Sequence, residues 1–219
     1  MILNGILEKP KDTLYKWALI LAYITVFYNI VEGIVSIFFG LHDETLSLFG
    51  FGVDSFVEVI SGIGIWHMLI RIKGQGEGNR DNFERTALKI TGTAFYILTA
   101  GLVITAVYNI IINHKPETTF WGIVISLISI ASMSLLINYK LNVGKALDSK
   151  ALIADANCTK TCLYLSVILL VASVGYALTG IGGIDSIGAV FIAYFSFKEG
   201  RESFEKAKSN KLCSCEDGH

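Results

Sequence analysis

Long apolar stretches alternate with short polar connections along this chain. A helix needs about 20 apolar residues to cross the hydrocarbon core of a bilayer. The last stretch is short, so we expect its helix to continue past Lys198, with Lys198 and Arg201 reaching back to the membrane interface. The pattern predicts an all-α integral membrane protein with six transmembrane helices, at residues 17–41, 46–72, 89–112, 120–139, 151–178 and 181–197.

The composition supports a membrane protein. Of the 219 residues, 53% are hydrophobic and 17% are charged, whereas a soluble domain carries about 25% charged residues. The net charge of −1 comes from basic residues that are spread over the connections and balanced by acids. Nucleic-acid-binding domains instead concentrate basic residues on one face. We therefore expect a lipid bilayer, and no nucleic acid, around this chain.

The basic residues predict which side of the membrane is cytoplasmic. Fifteen of the 18 Lys and Arg residues lie before the first stretch, or at the end of or after the second, fourth and sixth. The three connections on the other side, around His42, His114 and Gly182, hold only Lys115 between them. Cytoplasmic loops are the ones enriched in Lys and Arg. We predict two cytoplasmic termini in a multi-pass protein of the plasma (inner) membrane of a prokaryotic cell.

The chain is expected to form one domain. We divide it into a cytoplasmic segment at 1–16, a six-helix domain at 17–208 and a cytoplasmic tail at 209–219. The connections are short, and those at 73–85 and 140–150 are predicted on the cytoplasmic side. Asn29 and Glu32 make the first stretch too polar for the core of a signal peptide. It is therefore expected to remain in the mature protein.

Two carboxylates lie inside the second apolar stretch. Asp54 and Glu58 are four residues apart and so share one face of a helix. An ionisable residue at membrane depth costs roughly 2.5–3.5 kcal/mol on insertion scales and marks an ion or proton pathway by default. The alternative is an ion pair with Lys160 or Lys89 that only fixes the packing.

The fifth stretch carries Asp155, Cys158 and Cys162, which are three and four residues apart and lie along one helical face. Thiolates bind soft and borderline metal ions. Together with Asp54 and Glu58, these residues are candidate metal ligands. The alternative for the cysteines is a role as small packing residues.

Polar residues outside these two motifs have several interpretations. Asn29 and Glu32 belong to a proton or ion pathway, or Glu32 is a counter-ion for Lys160, or its role is structural. Asp185 directly precedes an apolar run and is predicted to cap the sixth helix.

The last seven residues combine thiols, acids and an imidazole. Cys213, Cys215 and His219 are candidates for a flexible metal-capture site. The alternative is a solvated tail whose thiols have no role. Four cysteines in the whole chain, two of them in a predicted cytoplasmic tail, do not suggest a disulfide framework.

In these features the chain resembles the cation diffusion facilitator (cation efflux) family. Members of that family have six transmembrane helices, and their transport site combines D-x-x-x-D on the second helix with H-x-x-x-D on the fifth. Here the second motif reads Asp54-x-x-x-Glu58. After LIADAN, Cys158 stands at the histidine position and Cys162 at the aspartate position. GGIDSIGAVFIAYFSFKEG resembles the signature of the family's sixth helix.

The resemblance implies a homodimer and a four-ligand metal site. It also implies a metal-binding cytoplasmic domain after the sixth helix, which this short chain is not expected to contain. Two thiolates in place of imidazole and carboxylate favour a softer cation than the family's usual site does. Serine and glycine faces, such as Ser126, Ser129 and Ser132 or Gly182 and Gly188, offer close helix approach in a dimer or within one protomer.

The sequence predicts a secondary transporter that exports a divalent transition or heavy-metal cation, Zn²⁺ or Cd²⁺ or a softer ion, in exchange for protons. Carboxylates and thiols ligate only when deprotonated, so protons compete with the metal. We expect no enzyme activity and no prosthetic group. Two alternatives stay open: a metal-binding membrane sensor or adaptor that keeps the fold without transport, and a channel-like conduit for small cations.

Overall fold

The structure is a computed structural model that describes residues 10–75 and 82–208. These ranges form helices and no strands, which confirms the all-α prediction. The helices are α1 (Lys11–His42), α2 (Leu46–Gln75), α3 (Asn82–Ile111), α4 (Phe120–Leu147), α5 (Lys150–Thr179) and α6 (Gly183–Lys208).

Helices α1 to α5 are long and apolar enough to cross a membrane. Large apolar side chains face outward from the bundle, including Ile111, Leu178 and Ile104, which are 76%, 81% and 70% exposed. Such surfaces are stable in lipid but rare on soluble monomers. Helix α6 is more polar because its last turns carry several charges, and it continues past Lys198 to Lys208, as the sequence predicts. The chain is a multi-pass membrane protein.

Helix α2 is central to the bundle. It packs against α1, α3, α5 and α6, while α4 packs mainly on α5, and α3 mainly on α6. The approach of α1 to α2 depends on small residues: a Cβ at Gly52 would lie 2.8 Å from the Cβ of Ser36 and from the backbone nitrogen of Ile37. This arrangement lets side chains of α2 reach both α5 and α6.

The connection predicted at 140–150 is wrong. Helix α4 continues to Leu147 and is followed by its C-cap Asp148, which has a left-handed φ of 50°. Lys140 is therefore inside the bundle with no exposed surface, and its ammonium lies 3.0 Å from the carboxylate of Asp155. It also donates a hydrogen bond to Thr159 at 3.0 Å. Lys140 is tolerated away from the interface because α5 supplies these partners.

Asp185 caps a different helix from the one predicted. Its carboxylate accepts hydrogen bonds from the backbone N–H groups of Leu46 and Ser47, at 2.8 and 3.2 Å, and from the Ser47 hydroxyl. These N–H groups belong to the first turn of α2, where backbone N–H groups have no hydrogen-bond acceptor within the helix. Asp185, in the first turn of α6, thus ties the starts of α2 and α6 together.

Parts of the small-residue faces considered for a dimer pack within the protomer. The hydroxyl groups of Ser129 and Ser166 are 2.8 Å apart and join α4 to α5. A Cβ at Gly188 would lie 2.5 Å from the Cβ of Ala172, so α5 and α6 approach closely there.

Candidate metal centre

A cavity of about 80 Å³ lies among α1, α2, α3, α5 and α6. It occupies the half of the bundle that contains the start of α5 and the end of α6, the half predicted to face the cytoplasm. Its polar lining includes Thr25, Asn29, Glu58, Ser61, Asp155, Cys158, Thr159, Cys162, Glu199, Ser203 and Lys206. Four of the five candidate metal ligands therefore line one cavity.

Glu58 and Cys162 are in direct contact across α2 and α5. The thiol of Cys162 donates a hydrogen bond to Oε1 of Glu58 at 2.5 Å. Cys162 is 7% exposed. A carboxylate oxygen and a sulfur that already touch need only a small separation to share one metal ion.

Asn29 extends this pair to α1. Its amide nitrogen donates a hydrogen bond to Oε2 of Glu58 at 3.0 Å. Its amide oxygen is buried and has no hydrogen-bond partner among the described residues. A buried oxygen without a partner is costly, and here it belongs to a side chain that contacts the carboxylate of Glu58. Asn29 thus offers a third donor atom.

Asp54 has a different environment from Glu58. It is 3% exposed, and its Oδ1 accepts a hydrogen bond from the hydroxyl of Ser196 on α6 at 3.0 Å. It is not among the residues that line the cavity. The two carboxylates of the motif therefore contact different helices, and neither forms an ion pair with Lys89 or Lys160 in the described part of the chain.

Asp155 and Cys158 line the cavity but contact lysines. Asp155 pairs with the buried Lys140, and the sulfur of Cys158 lies 3.6 Å from the ammonium of Lys206. Consequently, no three His, Cys, Asp or Glu side chains within residues 10–75 and 82–208 are close enough together to hold a metal ion. Four of the five predicted ligands line the cavity without converging on one point, and Asp54 is not part of its lining.

Glu32 of α1 forms a separate hydrogen-bond network near the pair of Glu58 and Cys162. Its carboxylate accepts hydrogen bonds from Tyr28 at 2.8 Å and from Ser55 at 3.1 Å, so its partners are hydroxyl groups rather than Lys160. Asn29 lies one turn earlier on α1 and contacts Glu58. The two residues assigned to a pathway thus lie on successive turns of α1, Asn29 in contact with Glu58 and Glu32 with hydroxyl groups.

Sequence reasoning did not assign Glu199 and Lys206 to the cavity. Glu199 accepts a hydrogen bond from Thr161 of α5 at 2.8 Å. Residues 199, 203 and 206 line the cavity, and their spacing of four and three is that of one helical face. This periodicity was the signal in the sequence that could have identified them. Cys213, Cys215 and His219 lie outside the described residues.

Comparison with known proteins identifies relatives of the whole bundle. Residues 18–210 match the model of the cation efflux transmembrane domain. The chain is 30% identical to the "Uncharacterized transporter MJ0449" of Methanocaldococcus jannaschii over 152 residues, covering 68% of this chain and 54% of that protein. It is 27% identical to "Transmembrane protein 163" of Xenopus laevis over 141 residues, 64% and 49% of the two chains.

A bacterial relative has a named substrate. The chain is 26% identical over 192 residues to the "Manganese efflux system protein MneP" of Bacillus subtilis (strain 168), covering 81% of this chain and 63% of that protein. The alignments thus span about half to three-fifths of the length of these relatives.

Proposed function

The chain belongs to the cation efflux family, and from this we propose that it is a secondary transporter that moves a divalent transition-metal cation out of the cytoplasm. Proteins of this family are transporters rather than enzymes. The observation that carries the proposal is the contact between Glu58 and Cys162 in a cavity inside a membrane bundle. Ionisable side chains inside a membrane bundle are costly, so a buried carboxylate that contacts a thiol there indicates a functional site.

The donor atoms guide the choice of metal. Glu58 and Asn29 offer oxygen, while Cys162 offers sulfur, and a thiolate favours Zn²⁺ or Cd²⁺ over Mn²⁺. The name of the Bacillus relative supports a divalent metal as the class of substrate. We propose Zn²⁺ or Cd²⁺ as the preferred ion, with Mn²⁺ as the competing ion that a test has to include.

We propose protons as the exchanged ion. A bound dication must displace the thiol proton of Cys162, because the ligand is the thiolate. Protons that return to the empty site would in turn compete the metal off. We assign Glu32 and Asn29 to the path of these protons: Asn29 donates a hydrogen bond to Glu58, and Glu32, one turn further along α1, accepts hydrogen bonds from the hydroxyl groups of Tyr28 and Ser55.

Alternating access is supported by the asymmetry of the bundle. The polar cavity lies in one half, whereas contacts between helices hold the other half together. There Asp185 binds the start of α2, and the rings of Phe39 and Trp121 stack with their centroids 4.0 Å apart. Opening that half would require these contacts to separate while the cavity closes.

The homodimer implied by the family resemblance is also a proposal. Because Ser129 and Gly188 are engaged within the protomer, a dimer would have to use other surfaces. The mass of the protein in nanodiscs and in several mild detergents tests it, and a monomer in all of them contradicts it.

The full chain reconstituted in vesicles containing a pH dye tests transport. We expect saturable uptake of Cd²⁺ or Zn²⁺ that moves protons in the opposite direction. Glu58→Gln should abolish both signals, whereas Glu205→Gln, at a half-exposed position outside the cavity, should leave them unchanged. Metal flux without a proton signal would favour the channel, and binding without flux would favour the sensor.

A further inference from the structure

Among the described residues that line the cavity, Lys206 is the only basic one. It lies near the end of α6, on the side that the distribution of basic residues predicts to be cytoplasmic. The residue is only 7% exposed. A lysine this close to the end of a helix normally reaches solvent, so its inward direction requires partners.

Those partners are thiol and carboxylate groups, which can also ligate a metal ion. The ammonium of Lys206 lies 3.6 Å from the sulfur of Cys158 and 3.5 Å from a carboxylate oxygen of Glu202. It also acts electrostatically on Glu199, which lines the same cavity. Lys206 thus places a positive charge among one thiol and two acids at the predicted cytoplasmic end of the cavity.

We propose that Lys206 is a tethered cation that an entering metal ion must displace, and that this displacement selects divalent over monovalent cations. The inference rests on the proposed function. A K⁺ ion that displaces the ammonium replaces one positive charge with another and still has to lose its water. A dication adds a net positive charge to the acidic cavity, and this gain offsets the displacement. Lys206 is therefore a specificity-determining residue for cation entry.

The first test needs no metal. In the full chain with Cys162, Cys213 and Cys215 changed to serine, Cys158 reacts with a cationic (trimethylammonium-ethyl) and a neutral (methyl) methanethiosulfonate. The ratio of the two rates reports the local charge, because the reactivity of the thiol cancels. Lys206→Gln should raise the cationic-to-neutral ratio about tenfold, since one positive charge at this distance is lost.

Two controls accompany this measurement. Lys206→Arg keeps the charge, and Lys208→Gln removes a charge from an exposed position on the same helix; both should leave the ratio within about twofold. Lys206→Met gives a second uncharged variant that keeps an apolar chain, and whichever uncharged variant folds decides the result. An unchanged ratio in it overturns the proposal.

The second test measures selectivity in vesicles. Replacing K⁺ by the large cation N-methylglucamine should leave Cd²⁺ uptake by the unmodified chain unchanged. With Lys206→Gln, K⁺ should inhibit Cd²⁺ uptake about tenfold, because no tethered charge excludes it. If uptake by this variant is normal and insensitive to K⁺, the inference about Lys206 is refuted, whereas the proposed function is not. Absence of uptake by the unmodified chain would refute the proposed function. The rate ratio at Cys158 would still test whether Lys206 places a positive charge in the cavity.

Discussion

The thiol of Cys162 on α5 donates a hydrogen bond to the carboxylate of Glu58 on α2, although the two residues are 104 positions apart in the chain. This contact places a sulfur and an oxygen donor at one point inside the bundle. Neighbouring Cys158 instead contacts Lys206. The two cysteines of the motif therefore differ in their surroundings, and their substitutions should have different effects.

Replacing Cys162 should change the metal preference. Cys162→Ser substitutes a hard oxygen for sulfur and should weaken Cd²⁺ binding relative to Mn²⁺ by about tenfold, following ligand softness. Competition between the two ions for the purified protein measures the ratio. Cys158→Ser is the matched control and should change the ratio less. Equal ratios in Cys162→Ser and the unmodified chain would assign Cys162 to packing.

The combined change Cys158→His with Cys162→Asp should keep transport and shift preference toward Zn²⁺. Imidazole and carboxylate replace two thiolates, so the advantage of soft ions falls. Uptake of Zn²⁺ and Cd²⁺ in parallel vesicle assays measures the shift. If the doubly substituted protein inserts normally and its preference is unchanged, the thiols do not select the metal.

Asp54 provides a test that separates charge from packing. Asp54→Asn keeps an oxygen that can accept the hydrogen bond from Ser196, but it removes the negative charge. We expect loss of metal uptake with little change in thermal stability. Ser196→Ala is the complementary variant and should lower stability by about 1–3 kcal/mol, because it leaves a buried acceptor unpaired. Full uptake by Asp54→Asn would remove Asp54 from the candidate metal ligands.

The buried pair of Lys140 and Asp155 should be essential for stability. Lys140→Met leaves the carboxylate of Asp155 without its counter-ion, so we expect a loss of about 3–5 kcal/mol. Adding Asp155→Leu should recover most of it. Thermal unfolding in mild detergent measures both. Arg201→Gln breaks an exposed pair with Glu205 and should change stability by about 0–1 kcal/mol.

Asp185 should protect the first backbone amides of α2 from hydrogen exchange. Asp185→Ala removes the acceptor for two backbone N–H groups, so the amides of Leu46 and Ser47 should exchange hydrogen faster. The expected cost is about 0.5–2 kcal/mol, as for other helix caps. Faster exchange confined to the start of α6 would instead restore the cap that the sequence suggested.

The number and approximate positions of the helices followed from the sequence because hydrophobicity along a membrane helix is a local property. The spacing of Asp54 and Glu58, and of Cys158 and Cys162, likewise places each pair on one helical face without knowledge of the partner helices. The continuation of α6 past Lys198 was also predictable from the sequence, because the apolar stretch alone is too short to cross the membrane.

The partners of these side chains were decided by the tertiary structure. Glu58 meets Cys162 while Asp54 meets Ser196, because α2 lies between α5 and α6. Lys140 is buried because Asp155 faces it from α5. Pairing between helices depends on close packing and on complementary charges from distant segments, neither of which a local pattern contains. The sequence alone therefore does not assign Lys206 to the cavity, which it lines in the folded bundle.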